Sequence, residues 1–231
     1  MKITYIHHSS FLVETDSANL LFDYFEGTLP EIPAEKPLYI FSSHRHGDHF
    51  SEEIFELAKE HEEIKFVLSS DIWTKRVPAE LRDRAVSLGP DESWSDELIK
   101  VETYKSTDEG VAFWCTVDQK EIYHAGDLNH WYWEGEDEKW NRDMTAAYRA
   151  EIEKMRGRRA DVAFLPLDPR LEQWFYLGID DWMRVADADV IVPMHFWEQF
   201  NVAKRLKELS CSESYRDRIV EIKERGQTFY I

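Results

Sequence analysis

Apolar and polar residues alternate in short runs through the first half of the chain. Ile3–Ile6, Phe11–Glu14 and Asn19–Asp23 each have the period of a strand, and Ser, Asp and Asn residues between them favour turns. A connection rich in proline and glutamate, Leu29 to Pro37, leads into a fourth strand, Leu38–Phe41. Ser51 then offers an N-cap, Glu52 and Glu53 suit the first turn of a helix, and Ile54, Leu57 and Ala58 give it an apolar stripe. Lys65–Ser69 reads as a strand, and Asp71 as the cap of a short helix through Lys75. Leu98–Tyr104, Val111–Val117 and Glu121–His124 predict three more strands, the last two joined by the turn Asp118-Gln119-Lys120.

The second half changes character. Lys139–Arg156 has the pattern of a long amphipathic helix, Asp161–Leu165 of a buried strand, and Asp180–Ala188 of a second helix. Val190–Met194 predicts another buried strand, Asn201–Leu209 a helix, and Gln227–Ile231 a closing strand. No repeat, low-complexity segment or long linker divides the chain, so residues 1–231 are expected to form one domain. Strands followed by helices, twice over, predict a layered α/β fold with helices outside two sheets.

Composition narrows this picture. With 231 residues, 43% hydrophobic and 32% charged, the chain has the balance of a soluble protein with a sizeable core. Its apolar runs are too short to span a bilayer, and Met1–Ile6 alternates like a strand instead of carrying the apolar segment of a signal peptide. A cytoplasmic protein is expected. Cys115 and Cys211, the only cysteines, make neither a disulfide framework nor a cysteine metal site. The 28 basic and 46 acidic residues give a net charge of −18, which argues against nucleic acid as a partner and leaves a small-molecule substrate. Nine tryptophans are present, several clustered, and exposed aromatics would suit a homo-oligomer interface.

One stretch obeys no period. His44-Arg45-His46-Gly47-Asp48-His49 follows an apolar strand and packs three histidines and an aspartate into six positions. Imidazole and carboxylate are the usual ligands of zinc and similar metals. Alternation puts His44 and His46 on one side of an extended strand end, and Gly47 opens a turn that carries Asp48 and His49. Asp127 and His195 also stand just beyond apolar strands, Ile122–Ala125 and Val190–Met194. Neighbouring strand ends can bring all three groups together.

The loop matches the His-x-His-x-Asp-His signature of the metallo-β-lactamase superfamily, and Gly126-Asp127 and His195 resemble that family's later metal motifs in order and spacing. His124-Ala125-Gly126-Asp127 and Pro193-Met194-His195-Phe196 look most like the branch of L-ascorbate-6-phosphate lactonase-like hydrolases. The first hairpin, Tyr5–Glu14, and Asp23 are similar to that branch as well. The resemblance implies a four-layer αββα sandwich and one or two divalent ions, zinc first, with manganese, iron and nickel as alternatives. It places His44 and His46 on a first metal, Asp48, His49 and His195 on a second, and Asp127 between them. The family's third first-site histidine aligns with Ser106, a poor ligand, so Asp108 or water would have to serve there. Two metals would activate a water nucleophile, which Asp48 would orient or deprotonate.

Other residues are weaker candidates. His8 and Asp23 are expected to support a ligand or, for His8, to touch substrate. Trp131, in the aromatic run Trp131-Tyr132-Trp133, would wall a pocket or pack the following helix, and Arg170 would hold an anion or pair with Asp168. His124 reads as structural and His61 as solvent-facing. The resemblance implies a hydrolase of a small ester, lactone or phosphoester. A nuclease of the same superfamily fits the acidity poorly, and the third reading is a metal-binding protein without catalysis.

Overall fold

We describe a computed structural model covering residues 1–231. Thirteen strands form two sheets. The first contains β1 (Lys2–His7), β2 (Ser10–Glu14), β3 (Asn19–Phe22), β4 (Leu38–Ser42), β5 (Ile64–Ser69) and β6 (Ala85–Leu88). These lie side by side in chain order, and the C-terminal strand β13 (Thr228–Tyr230) is added at the free edge of β1. The second contains β7 (Ser93–Ser95), β8 (Ile99–Lys105), β9 (Val111–Val117), β10 (Lys120–His124), β11 (Arg159–Pro166) and β12 (Asp187–Met194), again in chain order.

Alternation decides how the sheets pack. In β4, Tyr39 and Phe41 join the core between the sheets, and Leu38 and Ile40 join a second apolar cluster on the outer face. That outer cluster is covered by the 3₁₀ helix Glu52–Lys59, through Ile54 and Phe55. On the far side, α1 (Glu138–Glu153) and α2 (Leu177–Met183) lay Tyr148, Ile152, Ile179 and Trp182 into the central core, and α3 (Val202–Glu208) adds Leu206. The order of layers is helix, sheet, sheet, helix, the αββα arrangement. No helix is long and apolar enough to cross a membrane.

Several elements differ from the sequence expectation. The second helix starts earlier and stops at Met183, because Asp187 and Ala188 are drawn into parallel pairing with Arg159 and Ala160. The segments after Ser51 and Asp71 wind as 3₁₀ turns, Glu52–Lys59 and Thr74–Arg76. Strands β6 and β7 carry no apolar period and exist because they extend sheet edges.

The parallel parts of the sheets position the chemistry. β3 runs parallel to β4, and β10, β11 and β12 are parallel neighbours, so their carboxyl ends open on shared edges. Asp23 follows β3, the histidine loop follows β4, Asp127 follows β10, Asp168 follows β11 and His195 follows β12. Crevices beyond the carboxyl ends of strands are where α/β folds bind ligands.

Candidate metal centre

Asp127 lies at the middle of a buried ring of imidazoles. Its Oδ1 is 3.3 Å from His49 Nε2 and 3.4 Å from His195 Nε2, and its Oδ2 is 3.7 Å from His44 Nε2. His8, from the turn between β1 and β2, packs its ring 4.1 Å from that of His195 and points Nε2 at Asp48 Oδ2, 3.6 Å away. Three overlapping groups could hold an ion: His8, Asp48, His49 and His195; His44, His49 and Asp127; and His44, His46 and Asp48.

The opposite nitrogens of the rings are fixed. His49 Nδ1–H donates to Asp23 Oδ2 at 2.7 Å, and His195 Nδ1–H donates to Asp168 Oδ2 at 2.9 Å. Ser43 Oγ–H is committed to Asp23 at 2.7 Å, so its oxygen accepts from His44 Nδ1–H at 3.0 Å. Each arrangement points Nε2 at Asp127, where it can ligate an ion once it carries no proton. Nε2 of His8, His44 and His49 and Oδ1 of Asp127 are buried without a hydrogen-bond partner. Buried polar groups rarely stay unpaired, and the carboxylate or hydroxyl behind His44, His49 and His195 is the usual support of a metal ligand. The donor set fits a divalent ion that takes nitrogen and oxygen ligands.

Electrostatics agree with this reading. Burial pushes the pKa of His8 far down, and the nearby His195 and His49 push it further. Burial, then His49, lowers His44 to about 4. Burial also opposes a charge on His195, but Asp127 and Asp168 outweigh it and hold the ring up to about 10. Asp127, though buried, is kept well below the usual carboxylate range by His49 and His195. Without an ion, His195 thus keeps a proton between Asp127 and Asp168 that an ion must displace, while His8 and His44 stay neutral.

Tight backbone approaches make the convergence sterically feasible. A Cβ on Gly110 would sit 2.0 Å from the carbonyl oxygen of Ser43, and one on Gly126 would lie 2.6 Å from Ser43 Cβ. Both glycines also have positive φ, +71° and +50°. His8, Asp23 and His195 adopt positive φ as well (54°, 44° and 61°), backbone strain of the kind that gathers at functional sites.

The weaker candidates separate. His46 is half-exposed and turns to Asp108 Oδ2 (3.4 Å) and Glu109 Oε2 (3.6 Å). Ser106 is buried, and its Oγ accepts from the N–H of Asp108. Asp23 backs His49, and Trp131 is buried beside His195 with its Nε1–H on the Asp127 carbonyl at 3.0 Å. Arg170 is committed to Asp168 through Nε and Nη2, yet it lines the same cleft. His124 is structural: it bonds Ser9 O at 2.9 Å and accepts from Gly126 N–H. His61, expected at the surface, is buried at the end of its 3₁₀ helix. Sequence reasoning missed the Asp168 support of His195, although its place just past a parallel strand, like those of Asp127 and His195, was the available signal. It also missed Ser43 and Gly110, whose roles arise only from contacts across the sheets.

Fold and site together define a metal-binding member of the αββα class. The family described as beta-lactamase superfamily domain matches residues 2–142, more than half of the chain. A UPF0173 metal-dependent hydrolase from Bacillus cytotoxicus is 30% identical over 220 residues, covering 85% of this chain and 86% of that protein. The chain belongs to the β-lactamase superfamily, among its metal-dependent hydrolases. Among solved structures, the metallo-beta-lactamase fold protein YhfI from Bacillus subtilis superposes with a TM-score of 0.64 at 15% identity, over 99% of this chain and 98% of that one. The metallo hydrolase Igni18 from Ignicoccus hospitalis does so with a TM-score of 0.59 at 18% identity, over 100% and 98%. At those identities the likeness speaks for the fold.

Proposed function

We propose that the protein hydrolyses a small ester, lactone or phosphoester, in the manner of the lactonase-like branch its motifs resemble, with zinc as its metal. The observation that carries this is the ring of histidines around Asp127, with Nε2 of His8, His44 and His49 and Oδ1 of Asp127 buried and unpartnered, at the floor of a cleft of about 350 Å³. In this reading Asp48, His49 and His195, with His8 beside them, hold one ion, and Asp127 lies between it and a second. His44 and His46, with Asp108 close to His46, hold the second more weakly, because His46 and Asp108 are both half-exposed. An ion bound there supplies positive charge that polarises the scissile bond and makes water nucleophilic at neutral pH.

The chain's own residues do the rest. Asp48 lines the cleft, and its Oδ2 is within reach of a water entering beside His8. There it takes up the proton of the attacking water and returns it to the leaving oxygen. Trp131 and Trp197 stand over His195 and limit access of bulk solvent. Arg170, held rigid by Asp168, lends positive charge to the rim.

Turnover of a panel of esters, lactones and phosphodiesters, with zinc, manganese or iron supplied, tests the reading. Asp48→Ala should lose nearly all hydrolysis of whichever substrate is accepted. Undiminished turnover in this variant at unchanged metal content would show that Asp48 is not the proton acceptor, and no turnover across the panel would leave metal binding without catalysis.

A further inference from the structure

The cleft does not end at the metal centre. Much of its lining is aromatic: Trp131 and Trp197 beside His195, then Trp133 and Trp140 with Met144. Trp131 and Trp133 lie parallel with centroids 6.2 Å apart, and the Arg170 guanidinium sits 5.6 Å from the Trp133 ring and 4.8 Å from the Trp197 ring. Arg170 therefore links Trp133 and Trp197 across the rim by cation–π contact.

The segment bearing Trp131 is locked from behind. Thr107 Oγ1–H donates to Asn129 O at 2.6 Å, and His130 bridges Asp181 Oδ2 (2.9 Å) and Thr145 Oγ1 (2.7 Å). A wall held this way keeps its shape when the cleft is empty.

Beyond Trp140 and Met144 lies a second basin of about 520 Å³, on the first turns of α1, which shares Thr107, Trp140 and Met144 with the inner cleft. The charges around it are already engaged. Lys139 pairs with Asp143 at 2.5 Å, and Asp137 caps α1 by accepting the N–H of Trp140 at 2.7 Å. Between these paired charges Trp140 stays 36% exposed, and in the inner cleft Trp197 is 43% exposed, although large aromatics are usually covered.

We propose that the substrate carries an uncharged apolar chain that runs from the metal centre along Trp131 and Met144 and over Trp140 into the outer basin. Trp140 and Met144 are then the specificity-determining residues that grade substrates by chain length. This rests on the hydrolase reading above and names the substrate class of that same site.

The test uses zinc-loaded protein and two series. One is the p-nitrophenyl esters from acetyl to decanoyl, read as kcat/KM; the other is the matching alkanoates, read as dissociation constants by calorimetry. In the wild type both should improve by roughly two- to fourfold per methylene until the chain fills the groove, as burial of methylenes predicts. Trp140→Ala and Met144→Ala should each flatten the slope among the longer members. A flat wild-type series, or a slope unchanged in both variants, would overturn the inference. The two readings fail separately. Esters left intact while alkanoates keep a Trp140-dependent slope would remove the hydrolase and keep the groove, whereas equal hydrolysis at every length would remove the groove and keep the hydrolase.

Discussion

Asp23→Asn changes one buried atom and should weaken metal binding without touching a proposed ligand. The Asp23 carboxylate accepts three hydrogen bonds, from Ser43 N–H, Ser43 Oγ–H and His49 Nδ1–H, each at 2.7 Å. An asparagine oxygen can keep the Ser43 amide, but its NH₂ group then faces His49 Nδ1. The ring must become the acceptor there, which moves its proton to Nε2 and removes the lone pair aimed at Asp127. Loss of a carboxylate behind a ligating histidine typically costs about 10- to 100-fold in metal affinity, which corresponds to roughly 1.4 kcal/mol per tenfold. Fold stability should fall as well, by about 1–3 kcal/mol, since a buried charge-assisted hydrogen bond is lost. Calorimetric titration with zinc at neutral pH, on variant protein shown to be folded by circular dichroism, measures the effect. An unchanged dissociation constant would refute both the tautomer argument and the place of His49 among the ligands.

Two further outcomes follow from the same geometry. Gly110→Ala places a methyl group on the Ser43 carbonyl at a residue with positive φ, so the histidine loop must shift or the fold weaken by about 1–3 kcal/mol; a denaturation midpoint equal to that of the wild type would contradict it. In metal-free protein the His195 pKa is raised to about 10 from an ordinary value of 6.5, so its stabilising contribution is complete below 6.5 and is lost as pH rises through 10. The melting temperature of chelated protein should therefore fall between these limits, and His195→Gln should flatten the decline; a flat or rising wild-type curve would count against the proton-bridged ring.

Much of this was legible in the sequence because it depends on local pattern. Short alternating runs announce strands, and His44, His46, Asp48 and His49 stand out where no period explains them. Asp127 and His195 could be tied to that loop because each follows an apolar strand, and parallel strands open on one edge. What escaped is what only packing decides. Whether residues 184–188 wind or extend is settled by the pairing of β12 with β11. The orientation of His46 toward Asp108 and Glu109 and the passage of the chain at Gly110 are contacts between distant segments, and a linear pattern holds no trace of them, whereas the pairing of Arg170 with Asp168, two residues away, was one of the two alternatives the sequence offered.

The central claim is that the ring around Asp127 binds metal. Elemental analysis of protein purified without added metal, beside a His49→Ala/His195→Ala variant, addresses it most directly. Wild-type protein should retain one divalent ion per chain as purified, with a second taken up only when metal is supplied, and the double variant should retain none as purified. Wild-type protein that holds no more metal than the double variant, before or after supplementation, would contradict it.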